Sequence, residues 1–300
     1  MSKPPSHQRE QLLFSITPPR RSSPPEDAQR IATVTVERLK QLDLDALIVY
    51  DIDDESDRNP DERPFLYLPT QDHGDFHARH LTEWDRPVVI YRCVGKYDST
   101  QLETWLAAQD PELVSTVFVG ASSSSKQVLT SLAEAQAVWR NTCPELPLGS
   151  VAIPERHSGS GREHERMLRK QRRGASFFVT QVVYDADAAK SMVSDYFYAC
   201  HDQGQEPAPV IFTLSVCGSL KTLAFLQWLG VDVPAWMRND LQRSEDPLSV
   251  SFEHCVATAA ELAAYCRRLG APFGFNVESV SIRRAEIDAS VRLAERLRAG

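Results

Sequence analysis

Polar side chains that could bind or transform a small molecule lie at the ends of two apolar runs of the sequence. Gln181 lies near the end of the run at residues 176–183. Its amide could donate and accept hydrogen bonds with a flat heterocycle, or it could only close the end of a strand. Glu155 and His157 follow Pro154 directly after another apolar run. This pair could bind a polar group or transfer a proton, and the simpler alternative is a capping Glu beside a solvated His.

Three further segments carry groups that could bind phosphate or a metal ion. Residues 122–125 are serines followed by Lys126, and they could form a nest for a phosphate or only a flexible loop. Lys170, in a basic helical segment, could hold a cofactor phosphate. A third segment has histidines at i, i+4 and i+7 spacing, namely His73, His77 and His80. Surface histidines on a polar helix are the commoner outcome, so no metal site is predicted.

The hydrophobic pattern predicts the scaffold that must position these residues. Short, nearly continuous apolar runs are typical of strands buried on both faces of a parallel sheet, and helical patterns lie between most of them. Eight strand candidates in 300 residues favour one closed (βα)8 TIM barrel over an open sheet. The predicted strands are residues 12–16, 46–50, 87–92, 116–119, 150–153, 176–183, 209–216 and 272–277.

A barrel of this kind binds its ligands where the C-terminal ends of the strands meet. Gln181, residues 154–157 and the serines at 122–125 lie at or near such ends, and so do residues 51–58 and 278–281. Residues 1–11 are predicted to be a disordered tail and residues 12–300 the barrel.

Composition excludes several classes of protein. The net charge of −8 and the pI near 5.5 argue against general nucleic-acid binding, which needs a basic face. The six cysteines form no CxxC pair, which is typical of reduced, buried thiols. No run approaches the ~20 apolar residues of a membrane span, and the polar N-terminal segment has no secretory signal. A cytoplasmic location without membrane or nucleic-acid partners is expected.

Several segments resemble the methylenetetrahydrofolate reductase family. GASFFVTQVVYD at residues 174–185 is similar to the family's GADFIITQxFFD, and AIPERH at residues 152–157 is similar to its YPExH. LLFSITPPR at residues 12–20 looks like the opening FEFFPPR, and Lys221 with PAWM at residues 234–237 looks like a further family segment. The resemblance implies a (βα)8 barrel that reduces 5,10-methylenetetrahydrofolate to 5-methyltetrahydrofolate. It also implies NAD(P)H as hydride source and FAD as relay.

The same resemblance implies roles for individual residues. Gln181 is expected to be catalytic and to contact the folate. The other substrate-binding residues would be Tyr184 and Lys221. The cofactor-binding residues would be Tyr50, Ser122, Glu155, His157 and Lys170.

The sequence departs from this family at two acids. Ser15 stands where the family's first strand carries a Glu thought to protonate the folate nitrogen, and Ser122 replaces the Asp of the family's LRGD segment. Serine is a poor proton donor near neutral pH. An acid of residues 51–58 could take over this role, with Glu55 as the preferred catalytic candidate, although this run could also be a solvated loop.

The two missing acids are also compatible with a different hydride route or with a loss of activity. Hydride could pass directly from NAD(P)H to the folate without flavin. Alternatively, the chain could be a folate-binding or accessory subunit that has lost reductase activity. The leading expectation is an oxidoreductase of one-carbon metabolism with a reduced folate as partner, and the chain could form a homo-oligomer.

Overall fold

Eight parallel strands close into one barrel in the computed structural model, which confirms the expected (βα)8 TIM barrel. The structure describes residues 10–54, 59, 61–121 and 127–299. The strands are β1 (Gln11–Ile16), β2 (Ala46–Val49), β3 (Val88–Cys93), β4 (Val114–Val119), β5 (Leu148–Ala152), β6 (Ala175–Val182), β7 (Val210–Ser215) and β8 (Phe273–Glu278). The ring closes where β1 pairs with β8, with Leu13 opposite Asn276.

Helices surround the barrel and cover its outer face. They are α1 (Pro25–Lys40), α2 (His73–His80), α3 (Ser99–Ala107), α4 (Leu132–Thr142), α5 (Pro154–Ser160), α6 (Glu163–Arg172), α7 (Ala186–Asp202), α8 (Leu220–Trp228), α9 (Ala235–Arg243), α10 (Pro247–Leu269) and α11 (Arg284–Ala299). The helical periodicity predicts most of them. It does not indicate α5 or α9.

Alternation along the strands divides the core into an interior and an outer layer. Leu13, Ile48 and Val179 belong to the apolar cluster inside the barrel. Their strand neighbours, such as Leu12 and Leu47, belong to the larger cluster that packs under the helices. Because both faces of every strand are covered, the strands have continuous apolar sequences.

Close packing inside the barrel requires a glycine in β5. A Cβ atom added at Gly149 would lie 2.4 Å from the ring of Phe177 on the neighbouring strand β6. The missing side chain leaves the room that this ring occupies. The interior beside Phe177 is therefore closely packed.

The start of the barrel and the cysteines can both be compared with the predictions from the sequence. Gln11 already belongs to β1, so the barrel starts one residue earlier than predicted, and residues 1–9 lie outside the described part. All six cysteines are buried and none of them forms a disulfide, as predicted. None of the described helices combines the length and the apolar character needed to cross a bilayer.

Candidate functional site

A hydrogen-bonded chain of side chains from four strands lies at the C-terminal end of the barrel. Ser15 Oγ donates to Asn276 Oδ1 at 2.7 Å. The amide of Asn276 donates to Thr213 Oγ1 at 3.2 Å and to the Tyr50 hydroxyl at 3.3 Å. Tyr50 then donates to Glu278 Oε2 at 2.5 Å. The chain joins the neighbouring strands β7, β8, β1 and β2 and ends on a carboxylate.

Burial makes Glu278 an unusual acid. It raises the pKa of the Glu278 carboxyl from 4.5 to about 7, against the lowering effect of the hydrogen bond from Tyr50. The Tyr50 phenol has a pKa well above its usual value, because it is buried and lies beside Glu278, so it remains a donor. Near neutral pH the carboxyl of Glu278 can therefore hold a proton or release one.

Glu278 is the functional group that sequence reasoning misses. The predicted strand ends at Val277, and residues 278–281 are recognised only as part of the mouth. Nothing in the local sequence marks this carboxylate, because its hydrogen-bond donor Tyr50 follows β2 and lies 228 positions away along the chain. Hydrogen bonds through Tyr50 and Asn276 link Glu278 to Ser15, the position at which the resemblance implies an acid.

Gln181 and Glu155 form a second polar wall at the same mouth. Gln181 Nε2 donates to the carbonyl of Leu229 at 3.2 Å, and the backbone N–H of Asp232 lies 3.4 Å from Glu155 Oε1. The connection between α8 and α9 therefore touches the ends of both β5 and β6. Burial raises the pKa of Glu155 to about 7. Gln181 and Glu155 thus contact the same short segment, at Leu229 and Asp232.

The connection after β2 reaches the same rim. Trp228 Nε1, at the end of α8, donates to the carbonyl of Asp61 at 2.9 Å, and Asn59 Nδ2 donates to the carbonyl of Trp228 at 3.0 Å. The guanidinium of Arg63 lies 4.9 Å from the ring centroid of Phe225 and 5.3 Å from that of Trp228. Cation–π contacts of this kind hold the connection against α8, next to the backbone that Gln181 contacts.

Buried charges stabilise the ends of β2 and β3. Asp51 is buried, accepts a hydrogen bond from the backbone N–H of Cys93 at 2.8 Å and forms an ion pair with Lys96. Burial nevertheless raises the pKa of Asp51. Burial, together with the charge of Arg92, lowers the pKa of His73 to about 3, so this imidazole is neutral. Asp51 is thus a structural anchor rather than part of a solvated loop.

The histidines of α2 do not converge. His73 Nδ1 lies 3.6 Å from Asp51 Oδ1, whereas His80 Nδ1 lies 2.9 Å from Gln29 Oε1 on α1. A metal site in this segment would require a helix, and α2 is that helix. The imidazoles of its first and last residues nevertheless contact different partners.

Two residues expected to bind a cofactor point into the helical layer. His157 Nε2 lies 3.2 Å from Asp195 Oδ2 on α7. Lys170 Nζ donates to the carbonyl of Val151 at 2.5 Å and lies 3.7 Å from Glu163 Oε1. Their partners belong to the backbone of β5 and to the outer helices, and not to the mouth.

Two residues expected to bind the substrate are also placed elsewhere. Tyr184 is fully buried, its hydroxyl donates to the carbonyl of Ser215 at 2.8 Å, and its ring stacks on His254. It supports the apolar cluster beneath α8 and α9. Lys221 is exposed, and its ammonium group lies 4.9 Å from the ring centroid of Phe65. The assignment of Tyr184 to substrate binding has no support in this arrangement.

The residues that the resemblance assigns to a flavin site have different kinds of partner in the structure. Of the residues assigned to it, Tyr50 and Glu155 reach the mouth, whereas His157 and Lys170 are engaged with outer partners. Glu55 and Ser122, the remaining acid and cofactor candidates, lie outside the described residues.

The structure is a (βα)8 barrel with hydrogen-bonded polar side chains at the C-terminal ends of its strands. An uncharacterized protein from Clostridium thermocellum has a solved structure that matches it with a TM-score of 0.84 and 37% sequence identity. The match covers 97% of this chain and 95% of that chain, and that protein binds two copies of 5-methyl-5,6,7,8-tetrahydrofolic acid. The chain belongs to the same family as the Clostridium thermocellum protein.

A more distant likeness concerns the fold alone. The oxygenating constituent of 3,6-diketocamphane monooxygenase from Pseudomonas putida, solved with FMN, matches with a TM-score of 0.58 and 10% identity. That match covers 95% of this chain and 96% of the other. No protein-family model and no curated protein matches the chain.

Proposed function

We propose that this protein binds a reduced folate at the C-terminal mouth of its barrel. The observation that carries the proposal is its relationship to the Clostridium thermocellum protein, at 37% identity over almost the whole chain, together with the ligand found in that protein. The motifs similar to methylenetetrahydrofolate reductases support the same class of ligand independently.

The chemistry of the mouth suits the pterin part of such a ligand. A reduced pterin presents neighbouring N–H donors on one edge and a carbonyl acceptor beside them. A carboxylate such as Glu278 accepts from adjacent N–H groups, and an amide such as Gln181 can serve a donor and an acceptor together. Tyr50 and Tyr91, whose ring centroids are 4.7 Å apart, supply apolar surface beside Glu278.

Titration calorimetry with 5-methyltetrahydrofolate tests the proposal. We expect the wild type to bind, and Gln181→Ala and Glu278→Gln each to weaken binding by about tenfold or more, since one charge-assisted or buried hydrogen bond contributes roughly 1.5–3 kcal/mol. Glu103→Gln on α3 is the matched control, because this exposed Glu lies on the outer helical layer. Absence of binding by a folded wild type, or equal losses in Glu103→Gln, would refute the site.

A second candidate function is reduction of 5,10-methylenetetrahydrofolate. The observation that favours it is Glu278, a carboxyl with a pKa of about 7 that is linked through Asn276 to Ser15. In this scheme β8 supplies the proton donor that β1 lacks, and NAD(P)H supplies the hydride. The protonated carboxyl would give its proton to a folate nitrogen as the methylene bridge opens.

Two measurements separate the functions. Oxidation of NAD(P)H that depends on 5,10-methylenetetrahydrofolate, and that is lost in Glu278→Gln, would establish the reductase. A flavin absorption band in the purified protein would indicate an FAD relay, and turnover by colourless protein would indicate direct transfer. Binding of 5-methyltetrahydrofolate without turnover would leave the protein a folate-binding barrel.

A further inference from the structure

Three helices bring metal-binding side chains together on the outside of the barrel. His157 on α5, His164 on α6 and Asp195 on α7 each offer one ligand atom, and these atoms all lie within 4.8 Å of one another. Asp195 Oδ2 lies 3.2 Å from His157 Nε2 and 4.0 Å from His164 Nδ1. The two imidazole rings meet edge to face, with centroids 5.4 Å apart.

The packing of the helices explains this convergence. α5 ends at Gly161, whose φ of 65° is a left-handed conformation that a glycine adopts without strain. The chain then enters α6, so that His157 and His164 come to lie on the same side. α7 packs against both helices and brings Asp195 between the two rings.

Unused nitrogen atoms distinguish this cluster from an ordinary ion pair. His157 is buried, and the Nδ1 atoms of both His157 and His164 are buried without a hydrogen-bond partner in the described part of the chain. The His164 Nδ1 faces Asp195 at 4.0 Å, too far for a hydrogen bond. The unsatisfied Nδ1 of His164 costs free energy, which an ion placed between the three groups would recover.

We propose that His157, His164 and Asp195 form a binding site for a divalent transition metal ion, with Zn²⁺ the best match. Two imidazole nitrogens and one carboxylate oxygen form a ligand set that Zn²⁺ prefers, whereas Mg²⁺ and Ca²⁺ favour oxygen ligands. In a tetrahedral site with bonds of about 2.0–2.1 Å, neighbouring ligand atoms lie about 3.3 Å apart. The observed separations need only small side-chain rotations to reach that value.

The exposure of the three groups fits an accessible site. The side chain of Asp195 is 55% exposed and that of His164 is 20% exposed, so an ion can enter from solvent and keep a water molecule as fourth ligand. The ion would cross-link α5, α6 and α7. The site lies outside the mouth and is independent of the proposed folate binding.

Zn²⁺ titration of chelator-treated protein against a chromophoric competitor tests the proposal. We expect one Zn²⁺ per chain with a dissociation constant in the micromolar range or below, and a rise in melting temperature on binding. His164→Ala and Asp195→Asn should each weaken binding at least tenfold. His201→Ala is the matched control, because this exposed histidine lies on the same helix as Asp195.

Co²⁺ provides a second readout that a purely structural role would not change. An intense visible absorption band on Co²⁺ binding to the wild type, absent in the folded His164→Ala protein, would show ligation by this imidazole. Wild-type affinity no higher than that of His164→Ala, or an equal loss in His201→Ala, would overturn the proposal. So would variants that lower the melting temperature equally with and without Zn²⁺.

Discussion

Replacing Glu278 with Gln should change the pH dependence of stability in a defined direction. The carboxyl has a pKa of about 7 in the folded protein and an ordinary value of 4.5 when it is solvated. Between these values the folded state holds a proton that the unfolded state has lost. Wild-type stability from this group is therefore fully present below about pH 4.5 and falls as the pH rises towards 7.

The magnitude follows from the difference between the two pKa values. At 1.36 kcal/mol per pKa unit, a charged Glu278 costs about 3 kcal/mol above pH 7 that it does not cost at pH 4.5. Gln keeps an oxygen that accepts the hydrogen bond from Tyr50 and carries no charge. The free energy of unfolding of Glu278→Gln minus that of the wild type should therefore rise by about 3 kcal/mol between pH 4.5 and pH 8.

Urea denaturation at a series of pH values measures this difference. Glu103→Gln, at an exposed position, should give a difference that stays flat with pH. Tyr50→Phe removes the hydrogen bond that lowers the Glu278 pKa, so the transition should move to higher pH. A flat difference for Glu278→Gln would mean that the carboxyl is solvated, and the assignment of Glu278 as the near-neutral acid of the mouth would be lost.

Two further substitutions test the packing that supports the mouth. Gly149→Val should destabilise the barrel by about 3 kcal/mol or more, because the new side chain meets an aromatic ring at 2.4 Å, and chemical denaturation will show this loss. Lys96→Met should cost about 2 kcal/mol by leaving buried Asp51 without its cation, and adding Asp51→Asn should recover part of that loss. Additive losses in this double-mutant cycle would contradict the ion pair.

The strands and most of the helices could be predicted because their signals are local. A strand covered on both faces needs an unbroken apolar run, and a helix under the barrel surface needs spacing of three and four residues. The sequence predicted that Gln181 and the turn at residues 154–157 lie at the same end of the barrel, because the C-terminal ends of its parallel strands lie together. The sequence could not predict where the side chains of Lys170 and Tyr184 point. The rotation of a helix or strand about its own axis decides whether a given side chain faces the mouth or the outer helices.

The candidate proton donor Glu278 could not be predicted from the sequence either. Residue type and position near a strand end pointed to the acids after β2 and left Glu278 without a role. Its pKa depends on enclosure by Tyr50 and on the dielectric of the barrel interior, and neither can be read along the chain. The cluster of His157, His164 and Asp195 likewise depends on how three helices pack.

The amino-acid sequence by itself predicted the barrel, its order of strands and the buried thiols, and the structure confirms these predictions. These properties depend on the periodicity of apolar residues and on the order of segments along the chain, and both can be read directly from the sequence. Only the tertiary structure decided which polar groups meet, which carboxyl is enclosed and which histidines face one another. Hydrogen bonds join residues as far apart in sequence as Ser15 and Asn276, 261 positions, or Glu10 and Arg298, 288 positions, so their energies exist only once the ring has closed.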